Sequence, residues 1–161
     1  MNLIEKIILL FKKPKIVVLT ENNREQVKKI AAGIAGSYFQ VKREVLFVDD
    51  IEKTNLSSTE CLIYNFDREG LRKIREKAPD AKFLTFGLQE GANFQATDLR
   101  QNGGTNFKIN YQGKIVPIWL VGSPTREEIY IVLAAAAVGV LLGLNLVEIS
   151  QALKNLTTVT K

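Results

Sequence analysis

Arg126-Glu127-Glu128-Ile129-Tyr130-Ile131-Val132-Leu133-Ala134-Ala135-Ala136-Ala137-Val138-Gly139-Val140-Leu141-Leu142-Gly143-Leu144-Asn145-Leu146 is the stretch on which the fold turns. From Ile129 to Leu144 it holds no charged residue. About 18 apolar residues suffice to cross a bilayer, so a membrane span has to be weighed against a buried helix. Three features favour the buried helix. The run is marginal in length and rich in weakly apolar alanine. Glu127 and Glu128 give it an acidic first turn, with Ser123 and Thr125 as candidate N-caps beside Pro124. Gly143 before Leu144-Asn145-Leu146 reads as a stop, and a second amphipathic helix follows at once. A helix that is apolar on every side belongs at the centre of a soluble fold.

Composition bounds what surrounds that helix. A chain of 161 residues forms one domain with enough length for a core. Hydrophobic residues make up 46% and charged residues 24%, ordinary for a globular protein. The net charge is +5, and the lysines are spread along the chain rather than gathered in one block. Such a balance permits contact with nucleic acid or anionic lipid without requiring it, and the expectation is a solvated basic surface with no nucleic-acid partner. The single cysteine, Cys61, excludes an internal disulfide and fits a reducing cytoplasm and a core position. The absence of histidine removes histidine-dependent triads, imidazole metal sites and the commonest general base near neutral pH.

Upstream of the apolar helix, strands and helices alternate. Residues 1–14 read as a short amphipathic helix, apolar from Leu3 to Phe11, flanked by Lys6, Lys12 and Lys13, and ended by Pro14. It is too short for a span and lacks a signal-peptide cleavage site. It is expected to pack on its own domain or on a partner, with weak attachment to a membrane surface as the other option. Lys15–Thr20 is a β-branched run, followed by a turn and by helical spacing from Arg24 to Ser37 with Val27, Ile30, Ala31, Ile34 and Ala35 on one face. Further strands are expected at 44–48, 61–64 and 82–86, with a helix from about Arg68 to Lys77. Asp49 to Thr59 reads as loop. The alternation predicts a mostly parallel, buried sheet. After Gly87 come three shorter strands, at 94–99, 106–111 and 114–120, separated by Asn102-Gly103-Gly104 and Gln112-Gly113, which predict an antiparallel meander. The expected layout is a single α/β domain over 15–156 and a tail at 157–161.

Four segments, taken in order, resemble the central, ATP-binding domain of the Mur ligase family, whose fold is of the P-loop NTPase type. Ile16 to Ala35 stands where that family keeps its phosphate loop. Cys61 to Asp67 is similar to its apolar strand ending in Asn-x-Asp. Phe83-Leu84-Thr85-Phe86-Gly87 and Ala92-Asn93-Phe94-Gln95-Ala96-Thr97-Asp98-Leu99 resemble its strand-Phe-Gly and Ala-Asp-x-x-Ala-x-Asp pattern. Gly104 to Leu153 resembles its Phe-bearing hairpin, alanine-rich helix and Ile-x-x-Ala-Leu helix. The texture is nearest the branch that adds the D-alanyl-D-alanine dipeptide. The resemblance implies a vestigial nucleotide site at Thr20, Asn23, Asn65 and Asp67, with Asn65 at the position that faces adenine. A plainer reading of Asn65-Phe66-Asp67 is that it caps the next helix.

The departures from the family pattern concern phosphate. A phosphate loop needs glycines that let backbone N–H groups close on oxygens, a lysine for the β/γ charge, and Ser or Thr for Mg2+. Against the family's Thr-Gly-x-Asn-Gly-Lys-Thr-Thr, Thr20 and Asn23 remain. Glu21 and Arg24 replace the glycines, Glu25 the lysine, and Gln26 and Val27 the threonines. Like charges at about 4 Å cost on the order of 1–4 kcal/mol even when screened, so Glu25 opposes phosphate. The family's segment carrying a metal-binding glutamate, a histidine and a carbamylated lysine is reduced to about Gln40–Glu60. Asp49, Asp50 and Glu52 lie there, and read as an ordinary acidic strand end and loop rather than a Mg2+ site. The family's flanking domains have no counterpart in the sequence. The resemblance with these departures implies a module without ligase chemistry, with no bound cofactor, acting through self-association or a protein partner. Its alternative is an ATP- and Mg2+-binding subunit of a split ligase.

Overall fold

The computed structural model describes residues 3–4, 15–36, 44–56, 59–101 and 103–155. The amphipathic segment 1–14, apart from residues 3–4, and the tail 157–161 lie outside them. Seven strands form one sheet in the order β2-β1-β3-β4-β5-β6-β7. They are β1 (Lys15–Leu19), β2 (Glu44–Val48), β3 (Cys61–Asn65), β4 (Lys82–Gly87), β5 (Phe94–Gln101), β6 (Thr105–Tyr111) and β7 (Lys114–Leu120). The helices are α1 (Arg24–Ala35), α2 (Leu71–Lys77), α3 (Arg126–Leu141) and α4 (Leu146–Asn155). The first five strands pair in parallel; β5-β6-β7 is an antiparallel meander. The α/β class, the mostly parallel sheet and the meander are those the sequence predicts, with the meander continuing the same sheet.

The parallel strands are buried on both faces, which is why they read as unbroken apolar runs. Ile16, Val18, Ile63, Leu84 and Phe86 point to the side of α1 and α3, whereas Val17, Leu19, Leu62 and Tyr64 meet Ile74 and Ala78 of α2 and its end. Helix α3 is the centre of the larger core. Ile129 through Gly139 are all buried, so the apolar stretch is a core helix, and no helix among the described residues is long and apolar enough to cross a membrane. Its start is a capping box: the Thr125 hydroxyl accepts from the Glu128 N–H at 3.2 Å, and Glu128 Oε2 accepts from the Thr125 N–H at 3.0 Å. Gly139 brings three helices close. A Cβ there would lie 3.1 Å from Ile34 of α1 and 3.3 Å from Ile149 of α4.

Several boundaries differ from the sequence reading. Helix α2 begins at Leu71, not Arg68, because the carbonyls of Arg68 and Glu69 accept from the Tyr64 hydroxyl at 3.0 and 2.9 Å and Gly70 takes φ +97°. Helix α1 ends at Ala35, and Ser37 lies outside the described residues. The loop after β2 contains a 3-10 turn at Ile51–Lys53, capped by the Asp50 carboxylate. Strand β5 runs to Gln101 through an irregularity between Thr97 and Arg100, where Asp98 takes φ +54°. Strands β4 and β5 are parallel without a crossover helix because they overlap only at Phe86–Phe94 and Gly87–Gln95, so β5 continues beyond the end of β4.

Candidate functional site

The order β2-β1-β3-β4-β5 reverses direction at β1, so the chain leaves β1 and β3 towards opposite faces of the sheet. In open α/β sheets ligands bind in the crevice at the carboxyl ends of the strands flanking such a switch point. Here that crevice is lined by Thr20, Glu21 and Asn23 after β1, Asn65 of β3, and Glu127 and Tyr130 of α3. Of the residues named by the resemblance, Thr20, Asn23 and Asn65 meet there. Asp67 sits beside it, bonded to Tyr130.

The turn after β1 is built without glycine. Glu21 and Asn22 take φ +45° and +74°, the left-handed conformation that glycine adopts most easily. Asp49, just past β2, holds them. Its Oδ1 accepts the Asn22 N–H at 3.1 Å and the Thr20 hydroxyl. The anion engaged by this turn is therefore a carboxylate of the same chain. Asn23 occupies the N-cap position of α1 without a side-chain capping bond. Glu25 is exposed in the first turn and lies 3.5 Å from Arg24.

Asn65 is buried, and its Oδ1 accepts the Asp67 N–H at 2.9 Å. It turns the chain after β3 rather than capping α2, which starts six positions later at Leu71. Asp67 is a junction. Oδ2 accepts the Leu88 N–H at 2.8 Å and the Tyr130 hydroxyl at 2.7 Å, and Oδ1 accepts the Gln89 N–H at 3.1 Å. Gly87 makes room for this carboxylate, since a Cβ there would lie 2.4 Å from Oδ1. Burial, then the bond to Asp67, pushes the Tyr130 phenol up to about 12.

Arg68 bridges two residues of the crevice wall, Glu21 and Glu127. Its Nε donates to Glu21 at 2.8 Å, its Nη2 donates to Glu127, and its guanidinium stacks 5.3 Å from the centre of the Tyr130 ring. The bond to Glu127, helped by the charge of Glu21, raises the Arg68 pKa further. The crevice measures about 20 Å3, room for about one water molecule. Carboxylates stand at Glu21 and Glu25, and Arg68 is held by two carboxylates, Glu21 and Glu127.

Among the described residues no group of three or more Asp, Glu, Cys or His side chains comes together to hold an ion. Asp49 binds the turn, Asp50 caps the 3-10 turn, and Glu52 pairs with Lys73 at 2.5 Å, which lowers the Glu52 pKa through that hydrogen bond. Arg68, Glu127 and Tyr130 are the site residues the sequence reading missed. The one available signal was Tyr130, the sole polar-tipped side chain inside the apolar run from Ile129 to Leu144.

No protein-family model matches the chain. A UDP-N-acetylmuramate–L-alanine ligase from Persephonella marina is 32% identical over 92 residues, covering 56% of this chain and 19% of that protein. A solved D-alanyl-D-alanine-adding ligase from Acinetobacter baumannii matches 89% of this chain and 46% of its own, at 13% identity and a TM-score of 0.66. The MurF ligase from Thermotoga maritima, solved in complex with ADP, matches 90% of this chain and 49% of its own, at 12% identity and a TM-score of 0.62. The chain thus spans about half the length of these solved structures, and its match covers under a fifth of the Persephonella protein. The structural likeness includes the dipeptide-adding branch; the sequence likeness is to an L-alanine-adding one. The chain is similar in sequence to Mur ligases over part of its length, and it carries the fold of the Mur ligase central domain.

Proposed function

We propose that this chain is a non-catalytic Mur-ligase-like module, a pseudoenzyme that works by binding protein rather than by turning over ATP. The observation that carries the reading is the filled switch-point crevice. Asp49 takes the turn's N–H, Glu21 and Glu127 hold Arg68 between them, and the crevice keeps about 20 Å3. Adenine contacts through Asn65 without a phosphate site give little affinity, because a small ligand gains little per contact. Its setting in this reading is cell-wall precursor synthesis in the cytoplasm, which the similarity to UDP-N-acetylmuramate–L-alanine ligases supports. The partner is a second copy of the chain or another protein, neither nucleic acid nor a membrane span being needed.

A second reading is an ATP- and Mg2+-binding subunit of a split amide ligase, with the other domains on separate chains. What favours it is the fold shared with a ligase solved with ADP. Calorimetric titration with ATP and Mg2+ separates the two. The pseudoenzyme gives no saturable heat up to millimolar nucleotide. Saturable heat that depends on Mg2+ and is lost in Asn65→Ala supports the split ligase instead.

A further inference from the structure

Strand β7 is one edge of the sheet, and its only strand neighbour is β6. The register of that pair fixes which way its backbone groups point. Lys108 stands opposite Pro117, and proline has no N–H to give. The two residues therefore exchange no hydrogen bonds. In an antiparallel ladder such pairs alternate with bonded ones, so Ile115, Pro117 and Trp119 turn their backbone groups away from β6. The middle of these three positions offers a second chain no donor. Its carbonyl is also taken, because the Ser150 hydroxyl of α4 donates to it at 2.5 Å.

The side chains make this edge a hazard. Val116, Ile118 and Leu120 are buried in the core, and the alternate positions Ile115, Pro117 and Trp119 are exposed. Ile115 is 59% exposed, Trp119 52%, and Val121, just past the strand, 67%. From Ile115 to Val121 the chain reads Ile-Val-Pro-Ile-Trp-Leu-Val, without a charge. An uncharged, β-prone window of about six or seven residues is what stacks into cross-β assemblies when it holds no proline. Pro117 is the one proline in this window. It falls where the backbone already faces outward, so its missing N–H breaks no bond to β6.

We propose that Pro117 and Ser150 form a two-part guard that stops a second copy of the chain from pairing its own β7 with this edge. Two β7 strands running antiparallel about Pro117 would set Ile115 of each beside Trp119 of the other, and Pro117 beside Pro117. At the centre of that ladder neither strand has a donor, and both carbonyls are held by α4. The proposal is independent of whether the crevice binds nucleotide and of any protein partner that uses another face.

Amide hydrogen exchange in the full-length chain tests it, read at Ile115 and Trp119 across a range of protein concentration. Trp119 is the only tryptophan, so its emission reports on the same edge. In the wild type both amides exchange fast and the emission stays constant at every concentration. In Pro117→Val with Ser150→Ala, raising the concentration slows both amides roughly tenfold or more, moves the emission to shorter wavelength and raises the sedimenting mass. Valine suits an exposed strand position, so the amides of β3 and β4 stay slow. Adding Ile115→Lys to that variant restores fast exchange, since a charge on the edge opposes pairing. Fast amides at every concentration in the folded double variant overturn the proposal. Concentration-dependent slowing in the wild type overturns it too, because the edge then pairs despite the guard. So does a gain in mass with loss of protection in β3 and β4, because unfolded chain is then the associating species.

Discussion

The Tyr130 hydroxyl donates to Asp67 Oδ2 at 2.7 Å, across 63 positions of sequence. The bond joins the N-terminal part of α3 to the loop after β3, and through Asp67 to the backbone after β4. Removing it leaves a carboxylate short of one donor, and hydrogen bonds to charged groups are worth about 1.5–3 kcal/mol. Tyr130→Phe is expected to cost that much in urea unfolding. The folded-state pKa of about 12 lies above the ordinary value of 10. The neutral phenol therefore contributes its full stability below pH 10, and that contribution is lost as pH rises through about 12. Wild-type stability should fall across that window more steeply than that of Tyr130→Phe.

Gly87→Ala places a methyl 2.4 Å from Asp67 Oδ1. That carboxylate is anchored by two backbone N–H groups and cannot swing aside cheaply. Overpacking of this kind costs about 1–3 kcal/mol. Thermal unfolding of Gly87→Ala, Asp67→Ala and the double variant checks the coupling: the double variant should lose clearly less than the sum of the two singles.

Asp49 holds the turn after β1 in its left-handed conformation. Asp49→Ala strands the Asn22 N–H and the Thr20 hydroxyl, and should cost about 1–3 kcal/mol. The same variant should speed amide exchange at Asn22 and Asn23, while exchange in β4 stays slow. Uniform acceleration across the sheet would place the effect in global stability instead.

The fold was legible because its signals are local. Parallel strands buried on both faces read as β-branched runs, and α3 announced itself through an uncharged stretch with an acidic start and a glycine stop. The site was legible only in part. Thr20, Asn23 and Asn65 could be placed from their order beside strands. The partnerships of Arg68 with Glu21 and Glu127 span 47 and 59 positions, and no periodicity encodes them. Arg68 itself looked like the first residue of a helix, because nothing local shows that the Tyr64 hydroxyl claims the carbonyls of residues 68 and 69. Asp49 read as an acidic loop residue for the same reason: its partner turn lies 27 positions earlier.

We propose that the chain's own carboxylates and Arg68 keep nucleotide out of the switch-point crevice. Amide NMR shifts of the 15N-labelled full chain, followed as ATP and Mg2+ are added to millimolar concentration, test it most directly. The account predicts that the amides of residues 20–27, Asn65 and Asp67 stay where they are. Saturable movement of those amides, stronger with Mg2+ than without, would contradict it.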